Sequence, residues 1–345
     1  MIKIAVVGGG RMQTFFTVLI IAVAMVNGWT DAPSAIAGCV CTRSLTPKSS
    51  LLLAAFCNFA GAIIMALIRP SVAQTLYGIA DFGSEPSSAL ISLCCALISV
   101  IVWATAACFF GIPTSESHAL ISGMTGAAFA SNMSLSAIRA EEWRSVAIGL
   151  LVSTLPVVIF AFLIYQVTRL AFQNQDRRGT IRYFKRVQFL SAGSSAFLHG
   201  AQDSQKFIGV YMLGLSFLGK HTQDETFAIP LYVTLICATA MTFGTMLGGS
   251  KIIKKVGCEM THLDALGSSA ADTASSAILG VCSFLGIPTA TTHAKTCAMM
   301  GVGLCNKNGT DPRVVGQMLI GWILTFPICA AIGFLLSIFA HNLFL

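Results

Sequence analysis

The chain has 345 residues, of which 55% are hydrophobic and only 10% charged, with a formal net charge of +7. A water-soluble globular protein carries roughly 25% charged residues, so this composition excludes a soluble fold. Several apolar runs, among them Leu51–Ile68, Val146–Val167, Ile229–Leu247 and Val314–Phe339, reach the ~20 residues that hydrocarbon demands. A membrane β-barrel would show short alternating segments instead, so the expectation is an all-α polytopic membrane protein.

In chain order, Met1–Val26 is basic and then apolar but is followed by no small-residue cleavage site, which predicts a retained first helix. Its "VVGGGR" has Gln13 where a dinucleotide-binding turn needs a third glycine, and no βαβ pattern surrounds it. Full crossings are predicted near 12–43, 50–68, 145–168, 188–219, 227–249 and 314–340. The long apolar segments 87–136 and 264–306 are each broken by Gly-Ile-Pro-Thr. Proline removes a backbone donor and disfavours helix at the preceding residue, so both segments read as re-entrant hairpins. The twelve cysteines are scattered without metal-ligand spacing and read as small core residues.

Charge supplies an orientation. With the N-terminus outside, the inner loops take Arg43, Lys48, the run from Arg169 to Arg186, Lys251, Lys254, Lys255, Lys307 and Arg313. The outer ones take only Lys3, Arg11, Arg69, Arg139, Arg144 and Lys220. The positive-inside rule therefore predicts N-out and C-out. The basic excess is a topology signal at lipid headgroups rather than a nucleic-acid surface.

The chain repeats itself. "GIPTSESHALISG" from Gly111 returns as "GIPTATTHAKTC" from Gly286, and "NGWTDAPSAIAG" from Asn27 is matched by "HGAQDSQKFIGV" from His199, with Asp31 on Asp203. Two motif pairs in the same order, with three full crossings in each half, predict two inverted-topology repeats, each with a broken helix and a re-entrant helical hairpin. The expected division is 1–172 for the first repeat, 173–187 for a cytoplasmic basic loop and 188–345 for the second repeat.

An ionised side chain at the bilayer centre costs at least ~2.5–3.5 kcal/mol, which singles out Asp31, Glu116, Asp203 and Asp272. Asp272 can be explained by a hydrogen bond to a neighbouring helix, whereas Asp31 and Asp203 recur in both halves. At the tips, Ser115, Ser117, Thr289, Thr291 and Thr292 precede an apolar half-helix whose unpaired N–H groups suit an anion. Asn27, Thr30 and Gln202 add oxygens beside Asp31 and Asp203. A cation, Na⁺ at Asp31 and Asp203, would relieve the repulsion between anion and acids. His118 and His293 are expected to orient the tips, with proton carriage as the alternative. Lys206 and Lys295 fit snorkelling, pairing with an acid, or substrate contact equally well.

These four stretches together resemble the PiT family of inorganic phosphate transporters, bacterial type, over nearly the whole chain. The resemblance implies Na⁺- or H⁺-coupled uptake of inorganic phosphate through the cell membrane by a homodimer, with no enzyme activity and no cofactor besides the coupling ion. It implies cation-linked roles for Asp31 and Asp203 and phosphate contacts for Ser115, Ser117, Thr291 and Thr292. Thr30 and Gln202 stand where the family often has Asn, Ser34 replaces a common Asn and Ala290 replaces a tip Ser. Glu116 occupies a usually small polar position, which suggests that it carries a coupling proton. The alternatives are another tetrahedral oxyanion such as sulfate, an anion channel, and an intramembrane hydrolase built on Ser117 and His118.

Overall fold

The computed structural model describes residues 9–134, 137–220, 227–305 and 309–344. Among them the chain is helical throughout. The first crossing consists of α1 (Gly9–Thr30) and α2 (Ala32–Cys41), separated at Asp31. The break has a covalent cause: Pro33, at the start of α2, has no N–H for the carbonyl of Trp29. Then follow α3 (Pro47–Ile68), the short α4 (Ser71–Tyr77), the first hairpin α5 (Pro86–Phe109) and α6 (Glu116–Asn132), and the broken crossing α7 (Ala140–Val152) and α8 (Leu155–Phe172). The second half comprises α9 (Arg177–Phe217), α10 (Leu231–Leu247), α11 (Ser250–Ile253) continuing into a π-helical turn (Lys254–Met260), the hairpin α12 (Ala265–Leu285) and α13 (Thr291–Gly303), and α14 (Pro312–Phe344).

The expected elements are present, with four differences. Residues 173–187, expected to be a loop, are mostly helix. The Asp176 side chain accepts the N–H of Gly179 at 2.7 Å, so α9 starts at Arg177 and runs unbroken for 41 residues. The break in the second half therefore falls beyond the acidic motif, where α10 and the next helical segment bend by 69°. α5, at 24 residues, is by itself long and apolar enough to cross a membrane, as are the spans Gly10–Cys41, Pro47–Ile68, Ala140–Phe172 and Pro312–Phe344. Finally, Cys41 is not a lone core residue: a disulfide joins it to Cys258, tying the end of α2 to the π-helical turn. Lys3 and Lys307, which enter the charge count that orients the chain, lie outside the described residues.

Helices approach closely where glycine permits. A Cβ on Gly28 would lie 2.0 Å from the Met241 carbonyl oxygen, and one on Gly244 would lie 2.0 Å from that of Met25, so α1 and α10 touch backbone to backbone.

The buried apolar residues form two main cores with a polar layer between them. Phe16, Ile20 and Ala24 of α1 belong to the first core, whereas Ala35, Ile36 and Cys39 of α2 belong to the second. Likewise Ala192 and Ala196 of α9 lie in the second core, and Phe207–Leu213 lie in the first. The stretches that cross between cores, Asn27–Ser34 and His199–Lys206, are the two acidic motifs. α6 buries its length in the first core and α13 buries its length in the second, and both begin at the polar layer.

Candidate functional site

The two Gly-Ile-Pro-Thr tips turn in the same way. α5 and α12 run into glycines of positive φ, Gly111 at +68° and Gly286 at +71°, a conformation that other residues rarely adopt. Each tip then passes its proline and reaches an extended residue, Ser115 or Ala290, from which the second arm starts. At the first tip, Ser115 caps α6 by accepting the N–H of His118 at 3.4 Å. At the second, Ala290 has no side chain with which to cap α13, which leaves the hydroxyls of Thr289, Thr291 and Thr292 for other partners.

All of the expected site residues are buried, none more than 6% exposed. The tips meet: Ser117 Oγ lies 3.4 Å from the Thr289 carbonyl oxygen. The rings of His118 and His293, counterparts in the repeated motif, lie edge to face at 4.5 Å. His118 also stacks on Phe326 at 4.5 Å and His293 on Trp322 at 3.7 Å, so α14 holds both rings. His118 is thus packed between the other tip and α14. Ser117 Oγ donates to the Thr289 carbonyl and accepts from Lys206 Nζ, and among the described residues no histidine is hydrogen-bonded to it as a Ser–His hydrolase requires.

Each acidic motif engages a tip. On one side, Asp31 Oδ2 accepts the Glu116 N–H at 3.3 Å, Thr30 donates its hydroxyl to Glu116 Oε1, and Thr292 lies beside Asp31. On the other side, Asp203 Oδ2 accepts from Asn27 Nδ2 at 3.0 Å and from Thr291 Oγ1 at 3.2 Å, with His199 Nε2 at 3.4 Å. Gln202 braces the second tip, since its Oε1 accepts the Thr289 N–H at 3.4 Å and its Nε2 donates to the Ile287 carbonyl at 3.4 Å. Glu116 Oε2, Asn27 Oδ1 and Thr289 Oγ1 are buried with no hydrogen-bond partner. Buried polar atoms are rarely left unpaired, and these orphans gather where the motifs meet the tips.

Lys206 is the member of the site that the sequence left undecided. Its Nζ donates to Asp203 Oδ1 at 2.6 Å, to Ser117 Oγ at 2.5 Å and to the Thr289 carbonyl at 2.6 Å. The signal was available: a lysine one helical turn after an intramembrane aspartate shares its face. Lys295 pairs with Asp272 instead, and Ser191 Oγ donates to the other oxygen of Asp272 at 3.0 Å. Asp272 therefore joins α9, α12 and α13 away from the tips.

Paired helical hairpins whose tips meet at a buried polar centre, in a fold of apolar helices long enough to cross a bilayer, define a membrane transporter of small polar solutes. The profile of the phosphate transporter family matches residues 27–333, and the chain belongs to that family. It is 32% identical over 322 residues to a protein of Bacillus subtilis (strain 168) described as a probable low-affinity inorganic phosphate transporter, covering 92% of this chain and 95% of that one. A protein of Rhizobium meliloti (strain 1021) with the same description is 32% identical over 320 residues, covering 91% and 93%. A solved structure described as the sodium-dependent phosphate transporter superposes with a TM-score of 0.88, covering 97% of this chain and 100% of that one. At 20% identity, that match speaks for the fold alone.

Proposed function

We propose that the protein is an ion-coupled symporter that brings inorganic phosphate through the cell membrane by alternating access. The observation that carries this reading is the meeting of the two tips between two acidic motifs in a layer that separates two apolar cores. The N-termini of α6 and α13 and the hydroxyls of Ser115, Ser117, Thr289, Thr291 and Thr292 would hold the anion. Phosphate monoanion also donates a hydrogen bond, for which Glu116 Oε2 is an unpaired buried acceptor; sulfate has no proton to give.

Asp31, Glu116, Asn27 and Thr30 would take the coupling cation, Na⁺ or H⁺. Gln202 and Asp203 hold the second tip, and His118 and His293 set the angle between tips. The contact between two counterpart histidines, and the way α6 and α13 leave the polar layer into different cores, support an inverted pair of repeats rocking about this centre. The bias of basic residues supports N-out and C-out.

The test is uptake of radiolabelled phosphate by the purified protein in liposomes, under Na⁺ and H⁺ gradients imposed separately. Accumulation should require one of the gradients and be competed by arsenate but not by sulfate. Flux that only equilibrates and ignores both gradients would refute symport.

A further inference from the structure

The two halves treat their matched aspartates differently. Three residues after Asp203 stands Lys206, and three residues after Asp31 stands Ser34. Lys206 is 1% exposed, and its ammonium is held by a carboxylate, a hydroxyl and a backbone carbonyl, all within 2.6 Å. Those are the oxygen types that coordinate a small monovalent cation at the broken helices of transporters. They come from three separate elements: α9, the start of α6 and the second tip.

On the Asp31 side, Ser34 Oγ is turned back onto the Asp31 carbonyl at 2.7 Å, and no lysine or arginine forms an ion pair there among the described residues. What that side has is surplus acceptors. Asp31 and Glu116 are linked through the Glu116 N–H, and Glu116 Oε2 and Asn27 Oδ1 lack any donor. Acceptors left over around two carboxylates call for a proton or a cation from outside, and the Asp203 carboxylate does not, because Lys206 fills its Oδ1 and Asn27 and Thr291 fill its Oδ2.

We propose that Lys206 is a tethered cation that permanently occupies one of two matched ion positions, so that only the Asp31–Glu116 side exchanges a cation during transport. The proposal rests on the symporter reading and deepens it: one positive charge of the anion site belongs to the protein, and each phosphate travels with one fewer mobile cation than a symmetrical site would require. It also gives Ser117 a second role, since its hydroxyl is shared between the tip and the ammonium.

Lys206→Ser gives the second half the residue that the first half carries. In liposomes without Na⁺, phosphate uptake by this variant should fall by about tenfold or more, the factor that ~1.4 kcal/mol of lost interaction produces, and added Na⁺ should restore it several-fold. In detergent, replacing choline by Na⁺ should raise the melting temperature of Lys206→Ser more than that of the wild type. The extra rise should vanish in Lys206→Ser/Asp203→Asn. A variant that responds to Na⁺ as the wild type does overturns the proposal, and so does an extra response that survives Asp203→Asn. Failure of both Lys206→Ser and Lys206→Ala to fold in Na⁺ also counts against it, because a free cation is required to stand in for the ammonium. Melting does not depend on transport. A wild type that carries no phosphate would therefore refute the symporter while the tethered cation is still judged by its own shift.

Discussion

Among the described residues two buried lysine–aspartate pairs occur, one at the tips and one away from them. Asp272 and Lys295 are 1% and 2% exposed; Lys295 Nζ has the Ala35 carbonyl at 3.2 Å as its other partner, and Asp272 has Ser191 at 3.0 Å. Asp272→Asn leaves a buried ammonium facing only neutral oxygens, and Lys295→Met leaves a buried carboxylate with a single hydroxyl. Breaking a buried pair from either side costs about 3–5 kcal/mol because a charge is left buried and uncompensated, whereas removing both charges removes that cost, and well-packed hydrophobic replacements of a pair are often neutral. The double variant Asp272→Asn/Lys295→Met should therefore recover most of the stability that either single change removes, giving a coupling of several kcal/mol in the cycle. Thermal melting in detergent reads the stability, and phosphate uptake in liposomes reads the function. For Asp272/Lys295 both should return together. For Asp203→Asn/Lys206→Met the melting temperature should return and uptake should not, because that pair touches both tips. A double variant that melts no higher than its singles refutes the energetic argument. Full uptake in Asp203→Asn/Lys206→Met refutes the assignment of that pair to the transport site.

Glu116→Gln keeps the hydroxyl of Thr30 bonded while removing the exchangeable proton; uptake should fall at least about tenfold and lose its pH dependence, and an unchanged rate and pH profile would exclude Glu116 as the proton carrier. Ser117→Ala removes a hydroxyl that bonds the buried Lys206 ammonium, and a bond to a charged group is worth about 1.5–3 kcal/mol, so KM for phosphate should rise about tenfold or more and the melting temperature should fall as well. Gly28→Ala places a methyl 2.0 Å from the Met241 carbonyl oxygen, so α1 and α10 must separate. Overpacking of that kind costs about 1–3 kcal/mol, and a melting temperature equal to that of the wild type would show that the two backbones are not in tight contact.

The parts of the fold legible in the sequence are those whose causes are local. Apolar length marks the crossings at α3, α8, α10 and α14, and Gly-Ile-Pro-Thr marks both hairpin tips because glycine and proline act on their own backbone. α9 is different. Its stretch from His199 to Lys206 is so polar that the helix is not among those apolar enough to cross a membrane by composition, and the match to the motif at Asn27 supports the crossing expected over 188–219. The start of α9 at Arg177 depends on one cap, Asp176, inside a run whose charges resemble those of a loop. The Cys41–Cys258 disulfide joins residues 217 positions apart, and no spacing rule connects them.

The site divides along the same line. Repetition singles out Asp31, Asp203 and the tip hydroxyls, because two copies of a costly residue are hard to attribute to chance. Repetition also hides Lys206: a comparison that looks for what the halves share discards what only one half has. Its partners lie far apart in the chain, with Ser117 89 residues before it and Thr289 83 after it, so only folding shows that the ammonium sits where the tips meet. The duplicated features therefore mark the place of the proposed site, and the unduplicated ones, Lys206 in one half and Glu116 in the other, would set its charge. In the proposed symporter, a fixed positive charge on one side and a pair of carboxyls on the other would keep the two ion positions from behaving alike, whatever symmetry relates the helices that carry them.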